Sequence, residues 1–251
     1  DHINQRLWDL GYAQTRIRHR LSLSLTDKEN RYTNAFQFFK DSLTIYEQPN
    51  QIAELDLDIP FNDHLIGEAY FFKNKKINKP MDFSGKNYMS LVEQHNFLIQ
   101  LIFPEISNSK SQLQLTESDY EFLLREMSMM PRESEFPKYG EDYYDSYCKF
   151  FIYGNSKERM PDHVKIFNKV GLAYGFLLDN AYIVDFENKI EFFLSAVVYS
   201  NSNGVLNDDS YDYDTLTIPF LADVGRAIYE YELQRDREFD PDLSHLNKID
   251  S

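Results

Sequence analysis

The sequence predicts an α+β fold in which an antiparallel sheet packs with helices. Two observations carry that prediction. Val164 to Val170, Tyr174 to Phe186 and Ile190 to Tyr199 are three apolar runs with short connections, as in successive hairpins. Elsewhere, over Tyr88–Ile102, Phe122–Met127 and Phe220–Tyr231, apolar residues recur at helical spacing.

Along the chain, Ile3, Leu7 and Leu10 fall on one face of a short helix that Gly11 can end. A basic stretch, Arg16-Ile17-Arg18-His19-Arg20, runs into Leu21-Ser22-Leu23-Ser24-Leu25, a strand or extended loop. Thr33 is placed to cap a helix starting at Ala35, with Phe36, Phe38 and Phe39 on its apolar side. Short extended pieces alternate with Asn, Asp, Gly and Pro from 43 to 80, the pattern of hairpins. Ser84 is a cap for the next helix, whose apolar repeat lasts until Pro104. Thr116-Glu117-Ser118-Asp119 reads as a capping box ahead of Phe122. Residues 131–148 show no period. Glu187-Asn188-Lys189 is a tight connection between the second and third strands. The acidic loop Asn207–Asp214 precedes the last helix, which tolerates Pro219 in its first turn.

The 251 residues suffice for a sizeable core, and 20 Phe and 18 Tyr supply it. A net charge of −15 argues against nucleic-acid binding, which needs a basic surface to displace counterions. No apolar run approaches the roughly 20 residues of a membrane-spanning helix. The single Cys148 excludes an internal disulfide. Six scattered histidines give no zinc spacing, the 207–214 loop lacks the ligand pattern of a calcium hand, and no cofactor motif is present. The start, Asp1-His2-Ile3-Asn4, is not a basic and apolar leader.

Chemistry concentrates at Lys169-Val170-Gly171, on the first strand of the C-terminal set, followed by Tyr174-Gly175 and Asp179-Asn180-Ala181 on the second. A lysine there supplies positive charge, and a glycine lets the strand edge come close to a ligand. This order of strand, Lys-x-Gly, strand, hairpin, strand and amphipathic helix resembles the C-terminal part of the serine β-lactamases and penicillin-binding proteins, whose third motif is Lys-Thr/Ser-Gly. The similarity also touches 1–36, where Asp1 to Tyr12 is similar to the segment after the family's Ser-Asp-Asn motif and Arg20 to Thr33 occupies the place of its omega loop.

The resemblance implies a β-lactamase/transpeptidase-like fold with a remnant of the helical subdomain at 1–36, a large insert at 37–160, the strand–strand–strand–helix portion at 161–235 and a tail at 236–251. It implies Lys169 as the catalytic electrostatic partner of a serine, with Val170, Gly171 and Tyr174 at the substrate. The Ser-x-x-Lys and Ser-Asp-Asn motifs would lie upstream of Asp1. It further implies an extracytoplasmic setting and a small-molecule or cell-wall-type substrate. Two departures argue against efficient β-lactam hydrolysis. Val170 lacks the motif hydroxyl, and Leu21–Leu25 offers no glutamate for deacylation. The alternatives are an inactive binding relative of the same fold, or a carbohydrate-binding module using exposed Tyr and Trp8. Ser107-Asn108-Ser109-Lys110 satisfies Ser-x-x-Lys literally but sits in a polar loop, whereas Ser118-Asp119-Tyr120 is explained by helix capping.

Overall fold

A computed structural model describes residues 1–58, 63–106 and 112–246. In chain order the elements are α1 (His2–Asp9), α2 (Asp27–Asn30), β1 (Tyr32–Thr33), β2 (Phe36–Lys40), β3 (Leu43–Gln48), β4 (Gln51–Ile52), β5 (Leu65–Ile66), β6 (Ala69–Phe72), β7 (Lys75–Ile77), β8 (Met81–Asp82), α3 (Leu91–Ile102), α4 (Glu117–Ser128), β9 (Val164–Ala173), β10 (Phe176–Asp185), β11 (Ile190–Tyr199), β12 (Val205–Leu206) and α5 (Ile218–Gln234). The molecule is α+β, with small and mostly antiparallel sheets. It divides into two compact units, 1–66 with 80–93 and 67–79 with 94–251, so the 37–160 segment is shared between them. Among the described residues no helix is long and apolar enough to cross a membrane.

The first unit is built from short pairings. Helix α1 ends at Leu10, and Gly11 takes the left-handed φ of +101° that lets the chain turn away. Arg16 and Tyr88 form an isolated bridge, and β1 pairs with β4. The helix expected from Ala35 is instead strand β2, paired antiparallel with β3. Phe36 and Phe38 each contact Tyr46 across that hairpin, at 5.9 and 6.1 Å, cross-strand aromatic contacts that a helix would forgo. Helix α3 begins at Leu91, not after Ser84. The Ser90 hydroxyl receives the Glu93 amide (3.2 Å), while Tyr88 is held in its bridge to Arg16.

The second unit holds the three-stranded sheet in the order β11-β10-β9. Tyr174 and Gly175, with φ of +56° and +86°, make a two-residue turn of the type that suits a twisted hairpin. The first strand therefore extends to Ala173, and Tyr174 lies in the turn rather than opening the second strand. At the other end, the Asp185 carboxylate receives the amides of Glu187 and Asn188, each at 2.9 Å, and fixes the next turn.

Each face of this sheet carries an apolar core. One carries Val164, Ile166, Leu177, Ala181 and Ile183 against Phe150–Ile152 and Leu221 of α5. The other carries Phe167, Tyr182 and Val184 against Leu98 and Ile102 of α3 and Leu124 of α4. Each such large side chain removed from water contributes about 1.5–3 kcal/mol. The capping box at Thr116 is formed, with Thr116 receiving the Asp119 amide and Asp119 receiving that of Thr116.

Candidate functional site

Strand β9 is an edge strand: among the described residues it pairs only with β10. The turn at Tyr174–Gly175 sets its register, placing Lys169 opposite Asn180, and Asn180 opposite Ser195 of β11. Directly opposed residues share a face. Lys169, Asn180 and Ser195 thus form one polar row across the sheet, beside the apolar row Phe167–Tyr182–Phe193. Lys169 is the exposed end of that row, its Nζ donating to the Val170 carbonyl at 2.6 Å.

The other residues expected around Lys169 behave differently from one another. Val170 is half-buried and packs against the core cluster of the opposite face. Only its backbone remains on the Lys169 side. Gly171 has no positive φ, and a Cβ there would meet Leu178 at 3.8–3.9 Å, ordinary contact. Nothing in the chain itself requires a glycine at this position. Tyr174 lies five residues on, about 15 Å along the strand direction, and is not brought to Lys169.

The row is capped by α3. The Ser195 hydroxyl donates to Asn180 Oδ1 at 2.5 Å, and Asn180 Nδ2 donates to the Gln94 carbonyl at 2.9 Å. His95 Nδ1 lies 2.7 Å from Ser195 Oγ. Since the only serine proton is committed to Asn180, the imidazole is the donor in that contact. Ser195–His95 is consequently a polar clamp between β11 and α3 and not a nucleophile with its base. Sequence reasoning passed over both residues. The hairpin register, fixed by the two-residue turn, was the signal that would have aligned Asn180 with Lys169.

On the opposite face lies a buried charged network, of which sequence reasoning singled out Asp179 but missed its partner Lys149. Lys149 Nζ donates to the Met127 carbonyl (2.6 Å) and to Asn168 Oδ1 (2.7 Å). Asn168 Nδ2 donates to Asp179 Oδ1 (2.8 Å), whose other oxygen receives the Phe150 and Phe151 amides (2.9 and 3.3 Å). Burial lowers the Lys149 pKa to about 8, against the pull of Asp179, and raises that of Asp179 to about 6 despite its hydrogen bonds.

Ser146-Tyr147-Cys148-Lys149 is a second literal Ser-x-x-Lys. Its serine is buried and donates to the Ser156 carbonyl at 2.6 Å, so the pair does not form a nucleophile with its base. Cys148 is exposed, and desolvation raises its thiol pKa against the pull of Lys149 and Lys169. Ser107–Lys110 lies outside the described residues. Among those described, no three His, Cys, Asp or Glu side chains gather as a metal site.

No protein-family model, curated protein or solved structure matches this chain.

Proposed function

We propose that this chain carries the lysine-bearing part of a serine acyl-transfer enzyme of the β-lactamase and penicillin-binding kind. The observation that carries the reading is Lys169-Val170-Gly171 on the edge strand of the sheet, with a glycine whose Cβ would meet only ordinary contact. An edge strand offers unpaired backbone groups to an extended ligand, as in strand addition. A missing Cβ at Gly171 leaves room for that ligand beside the lysine. The ammonium of Lys169 would hold an anionic substrate group and stabilise charge developing on the attacked carbonyl. Its present bond to the Val170 carbonyl is an exposed one, readily exchanged for a substrate carboxylate.

The nucleophile would come from residues upstream of Asp1. Ser195 and Ser146 are both committed to structural hydrogen bonds, and no described serine bonds Lys169. The substrate would be a small-molecule or cell-wall-type ester or amide, met outside the cytoplasm. Efficient β-lactam hydrolysis is not part of the proposal, since Val170 has no hydroxyl and Leu21–Leu25 has no carboxylate.

The test is covalent labelling. The polypeptide extended upstream of Asp1 is treated with a fluorophosphonate or a fluorescent penicillin, and the modified residue is located by peptide mass spectrometry. One labelled serine upstream of Asp1 is expected, with none in the 251-residue chain alone. Labelling of Ser146 or Ser195, or of no serine at all, contradicts the proposal.

A further inference from the structure

The acyl-transfer reading gives no role to the basic stretch Arg16–Arg20, which stands out in a chain of net charge −15. Within the first compact unit it folds against Arg31 around a cavity of about 330 Å³, onto which Arg18, Arg20 and Arg31 all open.

Each guanidinium is pinned by backbone carbonyls. Arg18 Nη1 donates to Leu57 (3.1 Å) and Ser84 (3.0 Å). Arg20 donates from Nη1 to Asn30 (3.3 Å) and from Nη2 to Tyr32 (2.8 Å). Arg31 donates from Nη1 to the Leu55 carbonyl (3.0 Å) and from Nε to the Asp27 carboxylate (3.3 Å), an ion pair. These bonds fix the three planes without using all their donors. Arg18 Nε is buried and has no hydrogen-bond partner, and neither Arg20 Nε nor Arg31 Nη2 makes a hydrogen bond.

The nearby carboxylates do not fill the gap. Asp27 pairs with Arg31 (3.3 Å) and stands 3.6 Å from Arg18, as Asp58 does, so both offset charge there, but neither hydrogen-bonds Arg18 and neither pairs with Arg20. Asp1 spends its oxygens on the amides of Glu54 (2.8 Å) and Leu55 (3.3 Å). Arg18 Nε is shut off from the cavity, so the donors free for a ligand are those of Arg20 and Arg31, and guanidinium groups have no acceptor of their own to offer one another. What completes such a set is an anion with several oxygens, matched to the planar fork of arginine. Because the arginines are already held in place, little ordering remains to be done on binding.

We propose that this cavity binds a small oxyanion, a phosphate or carboxylate group, through Arg20 and Arg31. Isothermal titration of the intact chain with inorganic phosphate, and separately with citrate, tests it, ionic strength being held constant with sodium chloride. Saturable one-site binding of at least one anion is expected, and which one binds identifies the oxyanion. Arg31→Lys should weaken that binding at least tenfold. Thr33→Trp, which places a large ring on the cavity wall, should abolish it with the melting temperature retained, and decides the matter where an arginine variant fails to fold. Absence of saturable heat with both anions, or unchanged affinity in Thr33→Trp, overturns the proposal.

Discussion

Lys149 and Asp179 are held as a buried pair bridged by Asn168, and their shifts fix how stability depends on pH. The folded-state pKa of Asp179 is raised to about 6, so its contribution is fully present below its unfolded value, about 3.9, and is lost as pH rises through 6. Lys149 is shifted the other way, to about 8; its contribution is present above its unfolded value, about 10.4, and is lost as pH falls through 8. Both groups therefore cost most between pH 6 and 8. Asp179→Asn is expected to lower stability at pH 7 by about 1–3 kcal/mol, because its amide nitrogen cannot receive the N–H groups of Asn168, Phe150 and Phe151 that the two carboxylate oxygens now accept. It should also remove the decline in melting temperature attributable to this carboxylate between pH 4 and 6; profiles of wild type and variant that run parallel there would contradict this. Gly171 gives the opposite expectation. Its Cβ space is free, so Gly171→Ala should change unfolding free energy by no more than about 1 kcal/mol, in the stabilising direction. A large loss in urea unfolding would mean that the glycine serves the fold rather than a ligand.

The contact of α5 with the 150–152 segment depends on one small residue. A Cβ at Gly225 would stand 2.3 Å from the Ile152 amide nitrogen and 2.9 Å from Phe151 Cβ, so backbone must shift to admit it. Gly225→Ala is expected to destabilise by about 3 kcal/mol, seen as a lower urea midpoint at unchanged slope. An unchanged midpoint would show that α5 is loosely seated. The elements most legible in the sequence were those whose period and ends agree. Strands β9 to β11 carry apolar runs between short turns, α4 begins with a capping box, and Gly11 ends α1. Legibility failed where two patterns competed. Thr33 followed by Phe36, Phe38 and Phe39 offers both a helix cap and an alternating aromatic strand, and pairing of Phe38 with Tyr46 and of Phe39 with Thr44 across a tight turn favours the strand. Nor does spacing alone show that Tyr88 belongs to a bridge with Arg16, a partner 72 residues away in the chain.

Across the whole molecule, the sheet of the second unit sets the polar row Lys169–Asn180–Ser195 on one face and the Lys149–Asn168–Asp179 network on the other. Lys169 and Gly171 were legible because a motif carries them. Asp179 and Asn180 were singled out with them, but their joining to Ser195, Asn168 and Lys149 was not legible, since it depends on strand register and on segments 148–151 and 94–95 folding over the sheet. Val170 shows the same limit: adjacent to Lys169 in sequence, it faces the core because alternate strand residues point to opposite sides. The central claim is that Lys169 serves acyl transfer from the edge strand β9. Its most direct test is the rate of serine acylation by a fluorescent penicillin in the polypeptide extended upstream of Asp1, comparing wild type, Lys169→Ala and, as a control on the same strand, Lys165→Ala. The account predicts a loss of roughly 100-fold in Lys169→Ala, with folding intact and Lys165→Ala near the wild-type rate. Equal rates in wild type and Lys169→Ala would contradict it.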